Sequence, residues 1–335
     1  MITSVLKKFA MQISDARVFA PVFRKLEDRD RRQARLRILA HHRIDVYQQD
    51  SPYYPGLISA TPNQFAAQMK FLAAHYQVCR MADIVAASKG ETSLPNDSVL
   101  LTFDDATIDF ANHAWPVLKS LGLAATLFVP TAFPNNPAMN FWWDALYRAV
   151  VRSSDGTVLP LRPCSVTLNS PRQRQQLFRW LKEHMKTLPH SEAQRLLTEI
   201  TTAGGVADPV SNNVLSWDAL RQLDREGVTL APHTHTHPCL NQLPALEIRR
   251  ELTTSHDVLK AEIGHPIQRT LAYPAGGVND AVVAAMATEG FDLGFTTRRG
   301  INDQLFLNPY RLRRINVGAG TSLGLLRIQL ANWGN

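Results

Sequence analysis

Residues 98–105 read Ser98-Val99-Leu100-Leu101-Thr102-Phe103-Asp104-Asp105. A short apolar or β-favouring run without polar alternation predicts a strand buried on both faces, as in a parallel sheet. Residues that follow such a strand sit at its C-terminal edge, where barrels and open α/β sheets keep their chemistry. Two adjacent carboxylates there repel each other, and the usual resolution gives one a cation and the other a proton. Helix capping is the plainer use of Asp at a strand-to-helix junction.

A second apolar approach, Leu230-Ala-Pro, runs into His233-Thr-His235-Thr-His237-Pro. Alternation would place all three histidines on one side of an extended strand, whereas His233 and His237 also suit a helical turn or tight loop. Neutral imidazoles with a carboxylate make a good first coordination set for zinc or a related divalent ion. A surface metal-scavenging tract, or locally satisfied histidines, would give the same local pattern.

Thr102-Phe-Asp-Asp105, His233-Thr-x-x-His237-Pro and Leu271-Ala-Tyr-Pro-Ala-Gly276 together resemble the polysaccharide deacetylase family, NodB-like and carbohydrate esterase family four, over roughly residues 36 to 320. The resemblance implies a distorted (β/α) barrel, an α/β fold. It implies Asp104 as general base, and Asp105, His233 and His237 as ligands of one divalent metal ion, zinc foremost. His235 falls at a variable position. Arg35 to Ile44 opens the barrel as a strand ending in His41 and His42, and resembles the family's late Leu-x-His motif moved forward by circular permutation. That makes His42 the general acid and His41 a partly buried strand-end residue. The turn after Leu271 implies Tyr273, Pro274, Ala275 and Gly276 at the substrate, with the Ala275 N–H at the oxyanion.

Three departures bear on the site, the first being that no late Leu-x-His follows Gly276, so the acid role rests on His42. Ala106 stands where a Gly commonly follows the Asp pair, which is awkward if the backbone needs positive φ. Ala272 stands where an Arg that orients the base is common. Arg311, Arg313 or Arg314 on the last strand can supply that partner, and Arg314 is preferred.

Composition fits an ordinary globular chain of 335 residues, 45% hydrophobic and 19% charged. Cys79, Cys164 and Cys239 form no CxxC pair, which fits a reducing compartment. Cys239 reads as a small buried residue before it reads as a spare ligand. Of the net charge of +7, residues 1–37 contribute ten Lys/Arg against four acids. Without aromatic interleaving or a nucleic-acid motif, nucleic acid is set aside. The leader reads first as helix packed on the domain; the sharper reading is an interfacial helix in peripheral contact with the inner membrane. No signal-peptide core opens the chain, so the expected location is cytoplasmic.

Residues 1–34 are expected as a basic helical segment, 35–133 and 214–320 as the barrel, 134–213 as an inserted helical segment, and 321–335 as a C-terminal helix. Within the insertion, Trp142 and Trp143 fit a helix face, as core or as a platform for sugar or acyl chain. On the helix at 245–263, Leu246, Ile248, Leu252, Val258 and Leu259 are the expected core residues.

The function implied is metal-dependent removal of an N-acetyl group from an amino sugar of a cell-surface glycan or its cytoplasmic precursor, lipid-linked or nucleotide-linked. Arg298, Arg299 and Arg311 are expected near its phosphates. Alternatives are a deformylase or other amidase on a smaller C–N substrate, and a non-catalytic sugar-binding relative.

Overall fold

The computed structural model describes residues 35–161, 163–205, 210, 212–302 and 308–331. The expected basic leader, 1–34, lies outside them. In chain order the strands are β1 (Arg37–His41), β2 (Arg43–Ile44), β3 (Ile58–Ala60), β4 (Gln77–Cys79), β5 (Ser98–Phe103), β6 (Thr126–Val129), β7 (Thr157–Leu161), β8 (Cys164–Leu168), β9 (Thr229–Pro232), β10 (Thr270–Ala272), β11 (Leu293–Arg299) and β12 (Leu312–Asn316). The helices are α1 (Pro62–His75), α2 (Met81–Ser88), α3 (Trp115–Ser120), α4 (Trp142–Val151), α5 (Pro171–Met185), α6 (His190–Ala203), α7 (Trp217–Arg225), α8 (Ala245–Ile263), α9 (Asp280–Thr288) and α10 (Leu323–Leu330).

β5 is buried at all six positions, as its apolar run predicts. It lies in a parallel sheet of order β10-β11-β12-β1-β5-β6-β9, with β4 paired to its first half and β6 to its second. The two ends of the path approach each other: the His233 imidazole Nδ1 lies 2.7 Å from the Ala272 carbonyl, joining the end of β9 to that of β10. Seven strands therefore form a nearly closed barrel with helices outside, in keeping with the distorted (β/α) barrel expected. β1 sits between β12 and β5, so the first described strand joins the last to the one that leads into Asp104 and Asp105.

Strand periodicity sorts each residue to one of two cores. Leu39, Val99, Leu101, Phe103 and Leu127 pack outward beneath α1, α3 and α7. Ile38, Leu100, Phe128, Ala231, Ala272, Phe295 and Leu312 form a second core, which α2 joins. This phase continues past the strand ends. It sends His41 outward, against Phe65 and Phe103, and puts His42 on the face shared with Ile38.

Between β6 and α7 the chain makes α4, α5 and α6 around a separate core of Leu146, Tyr147, Val150, Phe178, Leu181 and Ile200. The segment is not all helical as expected: β7 and β8 form an antiparallel hairpin, with Leu159 and Leu168 buried and Val158 exposed. Its period of two is short and interrupted by Pro160, which hides it beside the long helical repeats. A second correction concerns α8. Ile248, Leu252 and Leu259 are buried, but Leu246 is 78% exposed. It stands two residues from Ile248, which on a helix is nearly the opposite face.

Candidate active site

Asp104 and Asp105 leave β5 at the C-terminal edge of the barrel. The Asp104 N–H still donates to the His41 carbonyl, at 2.9 Å, extending the β1–β5 pairing by one residue. The chain then turns sharply through two left-handed residues, Asp105 (φ 74°) and Ala106 (φ 50°). Leu215 N–H donates to the Ala106 carbonyl and Ile108 N–H to that of Asn213, so the turn is tied to the segment entering α7. Positive φ at Ala106 is the awkward case for a side-chain-bearing residue, costing about 1–2 kcal/mol. Thr234 (φ 64°), His237 (φ 63°) and Ala275 (φ 52°) share this conformation. Five of the six described non-glycine residues with positive φ thus ring one site, where strain held by surrounding structure is characteristic of function.

The three candidate ligands converge. The Asp105 carboxylate Oδ1 lies 3.5 Å from His233 Nε2 and 3.3 Å from His237 Nε2, and all three residues are buried. Among the described residues they form a group whose ligand atoms lie within 4.8 Å of one another. Because His233 Nδ1 faces the Ala272 carbonyl, that nitrogen carries the proton and Nε2 presents its lone pair. The His237 backbone N–H donates to Thr234 Oγ1, while Phe141 and Trp143 pack edge-on against its ring at 5.3 and 5.1 Å. Burial alone would raise the Asp105 pKa, yet the two imidazoles hold it well below the usual carboxylate range. Burial keeps His237 neutral by lowering its pKa; for His233 burial is outweighed by the two carboxylates, which pull it up. One oxygen and two nitrogen donors in an anionic field fit a divalent cation such as zinc.

Asp104 has a different partner. Its two oxygens accept from the Arg314 guanidinium at 2.8 and 2.7 Å, and Arg314 is held in turn by the Thr296 carbonyl. Burial opposes the charge on Asp104, but Arg314 outweighs it and lowers the pKa. Arg313 donates its N–H to Asn302 and Arg311 pairs with Asp280, so of the three candidates Arg314 reaches the pair. His42 lines the same cavity beside Asp104, with Nε2 4.0 Å from Asp104 Oδ2 and its backbone N–H fixed on Ser59 Oγ.

The turn after β10 contributes unevenly. Ala275 lines the cavity, and Gly276 (φ 73°) leaves no room for a Cβ, which would fall 2.1 Å from Thr297 Oγ1. Pro274 is buried at the head of the turn. Tyr273 is directed into the core, its hydroxyl donating to the Tyr310 carbonyl, and serves the turn rather than the cavity. His235 also faces away, its Nδ1 against Thr131 Oγ1 and its N–H on Glu251.

These groups border a cavity of about 250 Å³ that also touches Tyr54, Gly56, Leu57, Trp142, Trp143, Lys182, Lys186 and Thr297. Trp143 is nearly buried and walls His237, while Trp142 faces the cavity and a recess of about 40 Å³ lined by Met185 and Cys239. Sequence reasoning missed Tyr54, Lys182 and Lys186. Lysines four apart on an amphipathic helix carry the signature of a solvated face. Arg298 and Arg299, expected near the substrate, are exposed and outside the cavity lining, as is Arg311.

The family model described as polysaccharide deacetylase matches residues 173–294. YxkH of Bacillus subtilis (strain 168), which carries polysaccharide deacetylase in its name, is 26% identical over 110 residues, 32% of this chain and 38% of its own length. The fold is similar to that of Streptococcus pyogenes deacetylase PplD in complex with acetate, at TM-score 0.60 and 21% identity, covering 89% of this chain and 99% of that one. It is similar also to a de-N-acetylase from Aggregatibacter actinomycetemcomitans, at TM-score 0.54 and 17% identity, covering 88% and 99%. Sequence match and fold agree: residues 173–294 match the polysaccharide deacetylase family model, and the barrel is similar in fold to the solved deacetylases.

Proposed function

We propose that the chain is a metal-dependent hydrolase that removes an N-acetyl group from an amino sugar of a cell-surface glycan or its precursor. The observation that carries this is one carboxylate, Asp105, meeting two imidazoles while its neighbour Asp104 is left to an arginine. Asp105, His233 and His237 would hold a divalent ion, zinc by donor type. When bound, such a cation supplies Lewis acidity, polarising the amide and making water acidic enough to attack near neutral pH.

The protein's own groups do the rest. Asp104, kept ionised by Arg314, accepts the proton of the attacking water. The Ala275 N–H, in a turn made rigid by Gly276 and Tyr273, donates to the developing oxyanion. His42, which lines the same cavity, donates a proton to the leaving amine. Trp142 and Tyr54 present aromatic surface on which a sugar ring can pack. The products are acetate and a free amino sugar. Similarity to solved proteins named as a deacetylase and a de-N-acetylase supports the same reaction. Arg314 stands in for the arginine absent at Ala272, which weighs against a non-catalytic binding role.

Asp104→Asn tests the reading. It should lower kcat on an N-acetylglucosamine oligomer by about 10²–10⁴-fold while metal stoichiometry is retained. Equal turnover in the variant and wild type would exclude hydrolysis by this site. No helix among the described residues is long and apolar enough to cross a membrane.

A further inference from the structure

A neutral N-acetylated sugar offers no formal charge to a cation, yet the cavity presents two ammonium groups that the mechanism leaves unused. Lys182 on α5 and Lys186, the residue that caps its C-terminus, stand one helical turn apart in the insertion, and both line the cavity that holds Asp104, Asp105 and His42. Their side chains are 23% and 33% exposed, folded toward the cavity rather than into solvent. Lys182 is held in place: its Nζ sits 5.2 Å over the Tyr54 ring, within 3.5 Å of the Tyr54 hydroxyl. Tyr54 is itself fixed, with its ring on Phe178 and its N–H on Asp144.

Among the described residues, Glu183 is the acid paired with both lysines, at 3.3 and 3.1 Å, and it is 63% exposed. A carboxylate in solvent neutralises two partly buried ammonium groups incompletely, because water screens that pairing. Asp104 is already matched by Arg314, and Asp105 by the metal it would hold, so neither carboxylate balances the lysines.

We propose that Lys182 and Lys186 form an anion subsite, and that the substrate is an acidic amino-sugar compound whose phosphate or carboxylate lies close to the N-acetyl group. This rests on the N-deacetylase reading of the same cavity. It assigns the insertion a role in choosing the substrate, with Trp142 and Tyr54 meeting the sugar and the two lysines meeting its charge.

The metal-loaded protein is titrated, following tryptophan fluorescence and calorimetry, with N-acetylglucosamine 1-phosphate, a glucuronate-containing N-acetylated disaccharide, and neutral di-N-acetylchitobiose. The same compounds are assayed for kcat/KM. The wild type should favour at least one acidic probe over the neutral one by about tenfold per lysine. Which probe is favoured tells phosphate from carboxylate. The ratio should approach one in the Lys182→Met, Lys186→Met double variant, whose candidate metal ligands are intact, so anion contact with the metal is not the cause. Should the double variant not fold, the single variants and the wild type's own salt dependence carry the test. The preference should shrink between about 50 and about 300 mM KCl. Equal affinity for acidic and neutral probes in the wild type, or a preference unchanged by the variants, overturns the subsite. An acidic probe held through the lysines but never deacetylated supports the subsite and sinks the deacetylase reading.

Discussion

Arg314 is fully buried and donates to both oxygens of a carboxylate that burial would otherwise protonate. Removing the guanidinium should therefore let burial dominate and raise the Asp104 pKa. In Arg314→Leu, the acid limb of the kcat/KM profile should move to higher pH and the plateau should fall by about 10²-fold. Arg314→Lys should recover part of both, since it restores charge without the bidentate geometry. A pH–rate profile decides it, and an unmoved acid limb would mean that Asp104 is not the titrating base. His41 makes a separate pH prediction. Burial lowers its pKa from 6.5 to about 3. The unfolded chain takes up a proton below pH 6.5 that the folded one refuses until near pH 3. The stability associated with neutral His41 is thus complete above pH 6.5 and is lost as pH falls, by up to about 5 kcal/mol. Urea unfolding at pH 7 and 4.5 should show the loss, and His41→Leu should flatten it.

At the scale of elements, the insertion is attached to the barrel by a buried ion pair. Arg43, one residue beyond His42, donates to Asp144 on α4 at 2.7 Å, and the second Asp144 oxygen accepts from the Tyr54 N–H at 2.6 Å. One carboxylate therefore fixes the strand end bearing His42, the helix bearing Trp142 and Trp143, and the loop bearing Tyr54. Asp144→Ala leaves a buried guanidinium uncompensated and should cost about 3–5 kcal/mol in urea unfolding. Pairing it with Arg43→Met should recover much of the stability, because the unpaired charge goes with its partner. Catalysis should not recover in the double variant, since the Tyr54 loop stays unanchored. Full activity there would show that the three elements hold their places without it. The β7–β8 hairpin belongs to the same insertion but lies on its far side, against α6, and carries no cavity residue.

For the whole molecule, candidate ligands drawn from the ends of β5 and β9 would make metal binding and folding one equilibrium. A cation at 100 times its Kd should stabilise by about 2.7 kcal/mol, roughly 4 °C in a chain of this size. Chelation should lower the Tm of the wild type by that order and leave Asp105→Ala unchanged. A wild-type Tm indifferent to chelator would argue against a cation at this site. The parallel barrel and the grouping of Asp104 and Asp105 at its C-terminal edge were legible along the chain, because burial on both faces writes itself into an unbroken apolar run. Strand phase also carries information that sequence reading left unused: counting in twos from Ile38 and Leu312 puts His42 and Arg314 on the inner face, and His41 and Arg313 on the other. The near-closure of β9 against β10, the burial of Tyr273 away from the cavity, and the arrival of Lys182, Lys186 and Tyr54 beside the aspartates were not legible. Local sequence fixes periodicity and chain direction, and so determined the barrel and the chemistry of its edge. Which distant side chains share a cavity depends on how the insertion docks, through a buried Arg43–Asp144 contact 101 residues apart, and only the tertiary structure decides that.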